Sequence, residues 1–334
     1  MGAVSDGAAR TPPFTHLPRL RNRPLRAHDL AECMRLLPTY LSLDAVQQQD
    51  VARWWLRAVD APGVLSGVME DMALPPGRRI QGWGVSIIAP PLLVERLDLL
   101  GSPRAHLARR AYQLLCDGSA ALPDDREIAR LNGAGELVLL ILHFTLQRAD
   151  LSDPYAHKVV ALANDSFRAF HDGHRWRAMV YESSAVSTAF IVQSGFQPAR
   201  FADEDTLEGL PLERRPALFT LTREQAQRTM PGTPARNAFE WQPPRFRFNA
   251  SQRRLLWNAL FDESDEALMA LLEVSTHGLK KLWRGIYERI DDVEPEFFGD
   301  ASGADEGKRG PEKRRQVLAY VRQRLEELRP WLAG

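Results

Sequence analysis

The sequence predicts an α+β protein: a mixed α/β sheet region with flanking helices, followed by an all-α region. Three observations carry this. Two apolar runs, residues 135–146 and 175–183, have the continuous hydrophobic character of strands buried on both faces. Segments of helical period lie between and around the strand candidates. From residue 245 onward the apolar spacing is helical. At 334 residues the chain has room for two domains. The break falls at residues 229–244, TMPGTPARNAFEWQPP, whose Pro, Gly and small-residue content is that of a linker, with Phe239 and Trp241 placed to dock it onto one domain. The expected division is a lead-in over 1–19, a sheet domain over 20–228, the linker, and a helical domain over 245–334.

The first nineteen residues mix Gly, Pro, Ala and Arg without an apolar stretch of signal-peptide length, and read as a disordered lead-in. Arg23-Pro24-Leu25-Arg26 is short and extended. Asp29 then caps a helix carrying Leu30, Cys33, Met34 and Leu37 on one side. A helix over 46–59 buries Val51, Trp54, Trp55 and Val59, the tryptophans supplying core area. Residues 64–72 are a strand candidate closed by the turn Pro75-Pro76-Gly77, and 80–88, IQGWGVSII, is a strand ended by Pro90-Pro91. Helices are expected over 92–100 and 102–116, then an Asp- and Pro-rich loop running through 124–130 to the central strand 135–146. Beyond it come a polar loop with Asp153-Pro154, a long helix over 155–171, and the turn Asp172-Gly173. The strand 175–183, a helix over 185–193 ending at Gly195, an edge opened by Phe196, and a last strand over 216–221 complete the sheet domain.

Forty-three basic and forty-three acidic residues cancel, so affinity for nucleic acid must come from local clustering. Cys33 and Cys116 sit in apolar helical surroundings without partner spacing, which suggests a reducing compartment and neither disulfide nor zinc. No apolar run is long enough to span a bilayer, and the expectation is a cytoplasmic protein with no membrane partner. Walker loops and Gly-x-Ser-x-Gly elbows are absent. His171 and His174 straddle Asp172-Gly173 without a nearby cysteine, so they read as a solvated turn, and neither a metal nor a cofactor is expected. Tyr181 and Glu182, at a strand end, have the chemistry of a general acid and base in a pocket; a strand terminus facing solvent is the preferred reading.

The stretch 264–290, SDEALMALLEVSTHGLKKLWRGIYERI, reads as two helices joined by a tight turn. Ser264 caps the first, with Asp265 and Glu266 against its positive dipole end and Leu268, Leu271 and Leu272 at helical spacing. The turn is Glu273-Val274-Ser275, where Ser275 caps the second helix. In that helix Leu279, Leu282, Trp283, Ile286, Tyr287 and Ile290 share a face, and Lys280, Lys281 and Arg284 point elsewhere. From Phe248 onward this pattern resembles the LuxR-type helix-turn-helix, on Ala259, Leu260, Ser264, Leu268, Leu272, Val274, Ser275, Leu279 and Lys280, with Ile286 and Ile290 closing. Glu273 stands where that family has glycine, so a distorted turn is expected, and Lys281-Leu282-Trp283 replaces its usual polar run. The resemblance implies double-stranded DNA as partner. Lys280, Lys281 and Arg284 would reach base edges or backbone, Ser275, Thr276 and His277 would position phosphates, and Arg253 and Arg254 would clamp the backbone.

Residues 20–221 are similar in order and rhythm to the GNAT acetyltransferase superfamily. LRNRPLRAHDLAECMRLLP matches its first strand and helix, and 167–196 its last helices and strand ending in Gly-Phe. The loop 147–154 departs from that family's glycine-rich pyrophosphate loop, having no glycine and two acidic residues, Asp150 and Asp153. The resemblance therefore implies a GNAT-like domain that is catalytically silent and either senses something, a small-molecule ligand included, or assembles the protein. Residues 291–310 are expected to form an exposed, partly mobile acidic loop. Pro311 is expected to start a last helix. Its Leu318, Val321, Leu325 and Leu328 are spaced either to pair two recognition helices in a homodimer or to pack on their own domain. Together these imply a two-domain transcriptional regulator. An acetyltransferase carrying a nucleic-acid module and a protein-interaction scaffold are the alternatives.

Overall fold

A computed structural model describes residues 17–148, 150, 152–299 and 306–332. The expected lead-in up to residue 16, and residues 300–305 of the expected acidic loop, lie outside them. The class is the α+β one expected: a mixed sheet with flanking helices, then a helical region.

Seven strands form one sheet in the order β1-β2-β3-β4-β5-β7-β6. They are β1 (Leu20–Pro24), β2 (Val64–Asp71), β3 (Ile80–Ile88), β4 (Leu137–Leu146), β5 (Trp176–Ser184), β6 (Gln197–Ala199) and β7 (Pro216–Thr222). Every pair is antiparallel except the central β4–β5. A parallel pair needs a crossover between its strands, and here that is the eighteen-residue helix α6 (Pro154–His171). The run of aliphatic residues in β4 is explained by its place at mid-sheet: Leu137 to Leu142 are all buried.

One sheet face is covered by α1 (Leu30–Cys33), α2 (Ala45–Ala58), α3 (Pro91–Arg96) and α4 (Leu107–Cys116), with Trp54, Trp55, Trp83 and Tyr112 in its core. The tryptophans of α2 are core residues, as expected. The other face carries α5 (Asp125–Ala134), α6, α7 (Thr188–Gln193), α8 (Arg223–Arg228) and α9 (Pro234–Asn237). α5 occupies much of the stretch read as loop. Its signal is the cap, since the Asp124 carboxylate accepts the Glu127 N–H at 2.8 Å. The 92–100 and 102–116 helices are shorter than expected, beginning at Pro91 and Leu107.

The helical region consists of α10 (Ala250–Ala259), α11 (Asp265–Leu272), α12 (Thr276–Val293) and α13 (Glu306–Gln323) around a core that includes Phe246, Leu256, Leu268, Trp283 and Ile286. Pro311 lies inside α13 rather than at its start. Leu318, Val321, Leu325 and Leu328 are all buried in this same core. Of the two uses open to that stripe, own-domain packing is the one realised, and it is not offered to a second copy.

The linker is not a free tether. Ala235 and Ala238 are fully buried, and Arg175 lies over the Trp241 ring at 5.3 Å. The helical region then docks on the C-terminal end of α6. Arg329, buried, donates to the Ala169 carbonyl at 2.6 Å and to the Asp172 carbonyl at 2.7 and 2.9 Å. Gly173, at φ +81, lets the Leu325–Glu326 backbone approach; a Cβ there would lie 2.6 Å from the Leu325 carbonyl carbon.

Candidate functional site

Two regions have the makings of a site. The first is the exposed side of α12. Ser264 caps α11 by accepting the Ala267 N–H, and Ser275 caps α12 by accepting the Gly278 N–H, both at 3.2 Å. Between them Glu273 adopts the left-handed conformation, φ 54 and ψ 43, and the Val274 N–H bonds back to the Met269 carbonyl at 3.1 Å. That is the backbone a glycine would take at a helix end. The turn is therefore not distorted by glutamate; it bears the strain of a side chain in a region that costs about 1 kcal/mol or more.

Leu279, Trp283, Ile286 and Ile290 face inward and are buried. Ser275, Thr276, His277, Lys280, Lys281 and Arg284 are exposed. Among the described residues none of the three cations is held in an ion pair. The acidic groups of α12, Glu288, Asp291 and Asp292, come later along the helix, so its charge is split lengthwise, positive toward the N-terminal half. Arg254 is exposed and donates to the Leu271 carbonyl at 3.0 Å. Arg253 points the other way: it is mostly buried, bonds the Phe248 carbonyl at 3.1 Å, and lies 3.6 Å from Asp125 of α5. It joins the helical region to the sheet domain.

The second region is where β4 and β5 part. Their pairing runs from Leu137↔Trp176 to Ile141↔Tyr181 and stops, while β4 continues along β3 and β5 along β7. A cavity of about 100 Å³ lies at this divergence on the α6 side, lined by Gly67, Gly84, Ser86, Ile141, Phe170 and Tyr181 among others. Tyr181 is buried, and burial pushes its phenol up to about 12. Glu182 faces the opposite layer, where its carboxylate accepts the Leu107 N–H at 2.5 Å and caps α4. Burial raises it to about 7, against the opposing effect of those N–H bonds. The two are thus neither a solvated strand end nor an acid–base pair in one pocket: consecutive strand residues project to opposite faces.

His171 and His174 are buried rather than solvated. The His171 Nδ1 lies 2.7 Å from the Phe167 carbonyl, which only accepts, so Nδ1 carries the proton. Its Nε2, 3.0 Å from the Ser86 hydroxyl, then accepts from it. Burial holds His171 down to about 3 and keeps it neutral. Among the described residues no group of His, Cys, Asp or Glu is arranged to hold a metal, and no helix is long and apolar enough to cross a membrane.

At the start of α6 the Asp153 carboxylate accepts the Tyr155 N–H at 2.9 Å, Pro154 removes a donor, and Arg148 pairs with Asp153 at 3.1 Å. A helix terminus filled by its own carboxylate is unsuited to a pyrophosphate.

No protein-family model matches the chain, and no curated protein matches it. Solved structures do. FeeM, an N-acyl amino acid synthase from uncultured soil microbes, aligns over 65% of this chain and 97% of its own at 13% identity and TM-score 0.35. A chimera of the spermidine N-acetyltransferase SpeG from Vibrio cholerae and hSSAT aligns over 63% and 97% at 11% identity and TM-score 0.34. The aminoglycoside acetyltransferase AAC(6')-Ib, in complex with coenzyme A and kanamycin, aligns over 63% and 98% at 16% identity and TM-score 0.29. Likenesses this distant carry no assignment of activity.

Proposed function

We propose that the protein binds double-stranded DNA through α12, with the sheet domain as a docked, non-catalytic regulatory body. The observation that carries this is the division of α12 between a buried apolar stripe and the exposed Lys280, Lys281 and Arg284. Behind it stand the two serine caps and the left-handed turn that joins α11 to α12, features that a helix-turn-helix reading needs. With net charge zero, this local cluster must supply the affinity. In this reading Ser275, Thr276 and His277 meet phosphate at the first turn, where unsatisfied N–H groups and the dipole favour an anion.

Arg254 is placed for a backbone contact, and Arg253 serves the domain interface instead. A homodimer, if DNA binding needs one, must use a surface other than the buried stripe of Leu318, Val321, Leu325 and Leu328. Mobility-shift and anisotropy titrations of the full chain on random duplex at low salt test the reading. The Lys280→Ala, Arg284→Ala double variant is expected to keep its fold and to flatten the log K against log[salt] slope by about two. An unchanged slope and affinity would reject it.

A second reading, acyl transfer by the sheet domain, is favoured by one observation, the cavity at the parting of β4 and β5 with Tyr181 in its wall. The carboxylate-capped start of α6 opposes it. Calorimetry with acetyl-CoA decides: saturable binding would revive this reading, and none is expected.

A further inference from the structure

The cavity between α6 and the sheet has two properties that belong together. The first is its chemistry. Among the described residues no Asp, Glu, Lys or Arg lines it. Of its buried polar residues, His171 and Ser86 bond each other, His143 has its Nε2 3.4 Å from the Tyr112 hydroxyl and its Nδ1 without a partner, and Ser166 is the fourth. A charged group entering the cavity would lose hydration without gaining a counter-charge. Its volume, about 100 Å³, is of the order of the ~150 Å³ apolar cavity that takes up benzene or xenon. Rim residues Asn164, Phe190 and Ser194 are half-buried, so the space has an entrance.

The second is its wall. Phe170, from α6, lines the cavity and on its other side meets the helical region. Its ring centroid lies 4.9 Å from that of Trp257 in an edge-on contact and 6.1 Å from that of Phe261. Trp257 belongs to α10, the helix on which α11 and α12 pack. One aromatic side chain thus separates the cavity from the helix that supports α12.

We propose that this cavity is the site of a small, uncharged, apolar ligand, and that its occupancy is read by the helical region through Phe170 and Trp257. A ligand bound only when Phe170 holds its place stabilises the α10 contact, by linkage. The final step, an effect on DNA, rests on the function proposed above; the site and the coupling do not.

Benzene and xenon are the probes. Gly84 offers a clean block, because a Cβ there meets only Phe144 Cδ2, at an ordinary 3.7 Å, and larger side chains extend into the cavity. Calorimetry of the full chain with benzene, and xenon chemical-shift titration, are expected to show saturable binding weakened at least tenfold in Gly84→Val. Gly84→Ala should be intermediate, and both variants should keep wild-type melting. In the wild type benzene should slow amide exchange in α10, and Trp257→Ala should bind benzene but lose that protection. Absence of saturable binding, or binding indifferent to both Gly84 variants, overturns the site. Binding without any change in α10 exchange overturns the coupling. None of these readouts involves DNA, so a failure of DNA binding is distinguishable from a failure here.

Discussion

His171 shows how far a residue's chemistry depends on what folds over it. Read along the chain, it flanks an Asp-Gly turn and looks solvated. In the fold its ring packs at a tilt against Phe167 and hydrogen-bonds Ser86, 85 positions away. Burial depresses it to about 3, below its unfolded value near 6.5. The unfolded state therefore takes up the proton first as pH falls. The contribution of His171 to stability is full above pH 6.5 and is lost progressively from there toward pH 3. Urea denaturation across that range should show a wild-type decline steeper than that of His171→Gln, by up to about 1.4 kcal/mol per pH unit. Parallel declines would mean the ring is protonated in the native state.

Glu273 teaches the complementary lesson. The family pattern made a non-glycine residue there a sign of distortion, yet the caps on either side hold it in the left-handed region. Local hydrogen bonds outweighed a local steric preference. Position 182 was misread for a different reason: a strand's alternation was legible, but not that α4 would bring its N–H groups to that carboxylate.

At the scale of elements, α11 and α12 with a serine cap each were legible because capping serines and a helical apolar stripe act within a few residues. The strands β3 and β4 were equally plain, since β4 is buried on both sides and needs no alternation. α5 was obscured by its acidic start, which is its cap. Buried use of Leu318, Val321, Leu325 and Leu328 was one of two readings that spacing could not separate, because the face a stripe meets is a tertiary fact. The docking element is the turn after α6. Ala at Gly173 would meet the Leu325–Glu326 backbone and would hold an unfavourable φ of +81. Gly173→Ala is expected to cost at least about 2 kcal/mol in urea melts and to expose the Phe170–Trp257 contact to exchange. A neutral substitution would show that the interface gives way freely.

Over the whole molecule, the two halves are joined as one packed body. Arg329 on three carbonyl bonds, Arg253 beside Asp125, Arg26 near Asn258 and Glu263, and the buried alanines of the linker all cross the boundary. Linker composition signalled where the sheet ends and the helices begin, but not that Ala235 and Ala238 are core. That depends on Gly195 and on α6, which lie far away in sequence. A rigid joint is also what gives the cavity a means to act on α10, and through it on α12.

In the proposed function α12 is the surface that meets nucleic acid. Amide chemical shifts of the full chain, followed while a short random duplex is titrated in at low salt, test it most directly. The largest changes are expected on residues 275–284, with the cavity-lining strands unmoved. Changes confined to the sheet domain, or none at all at any duplex concentration, would contradict it.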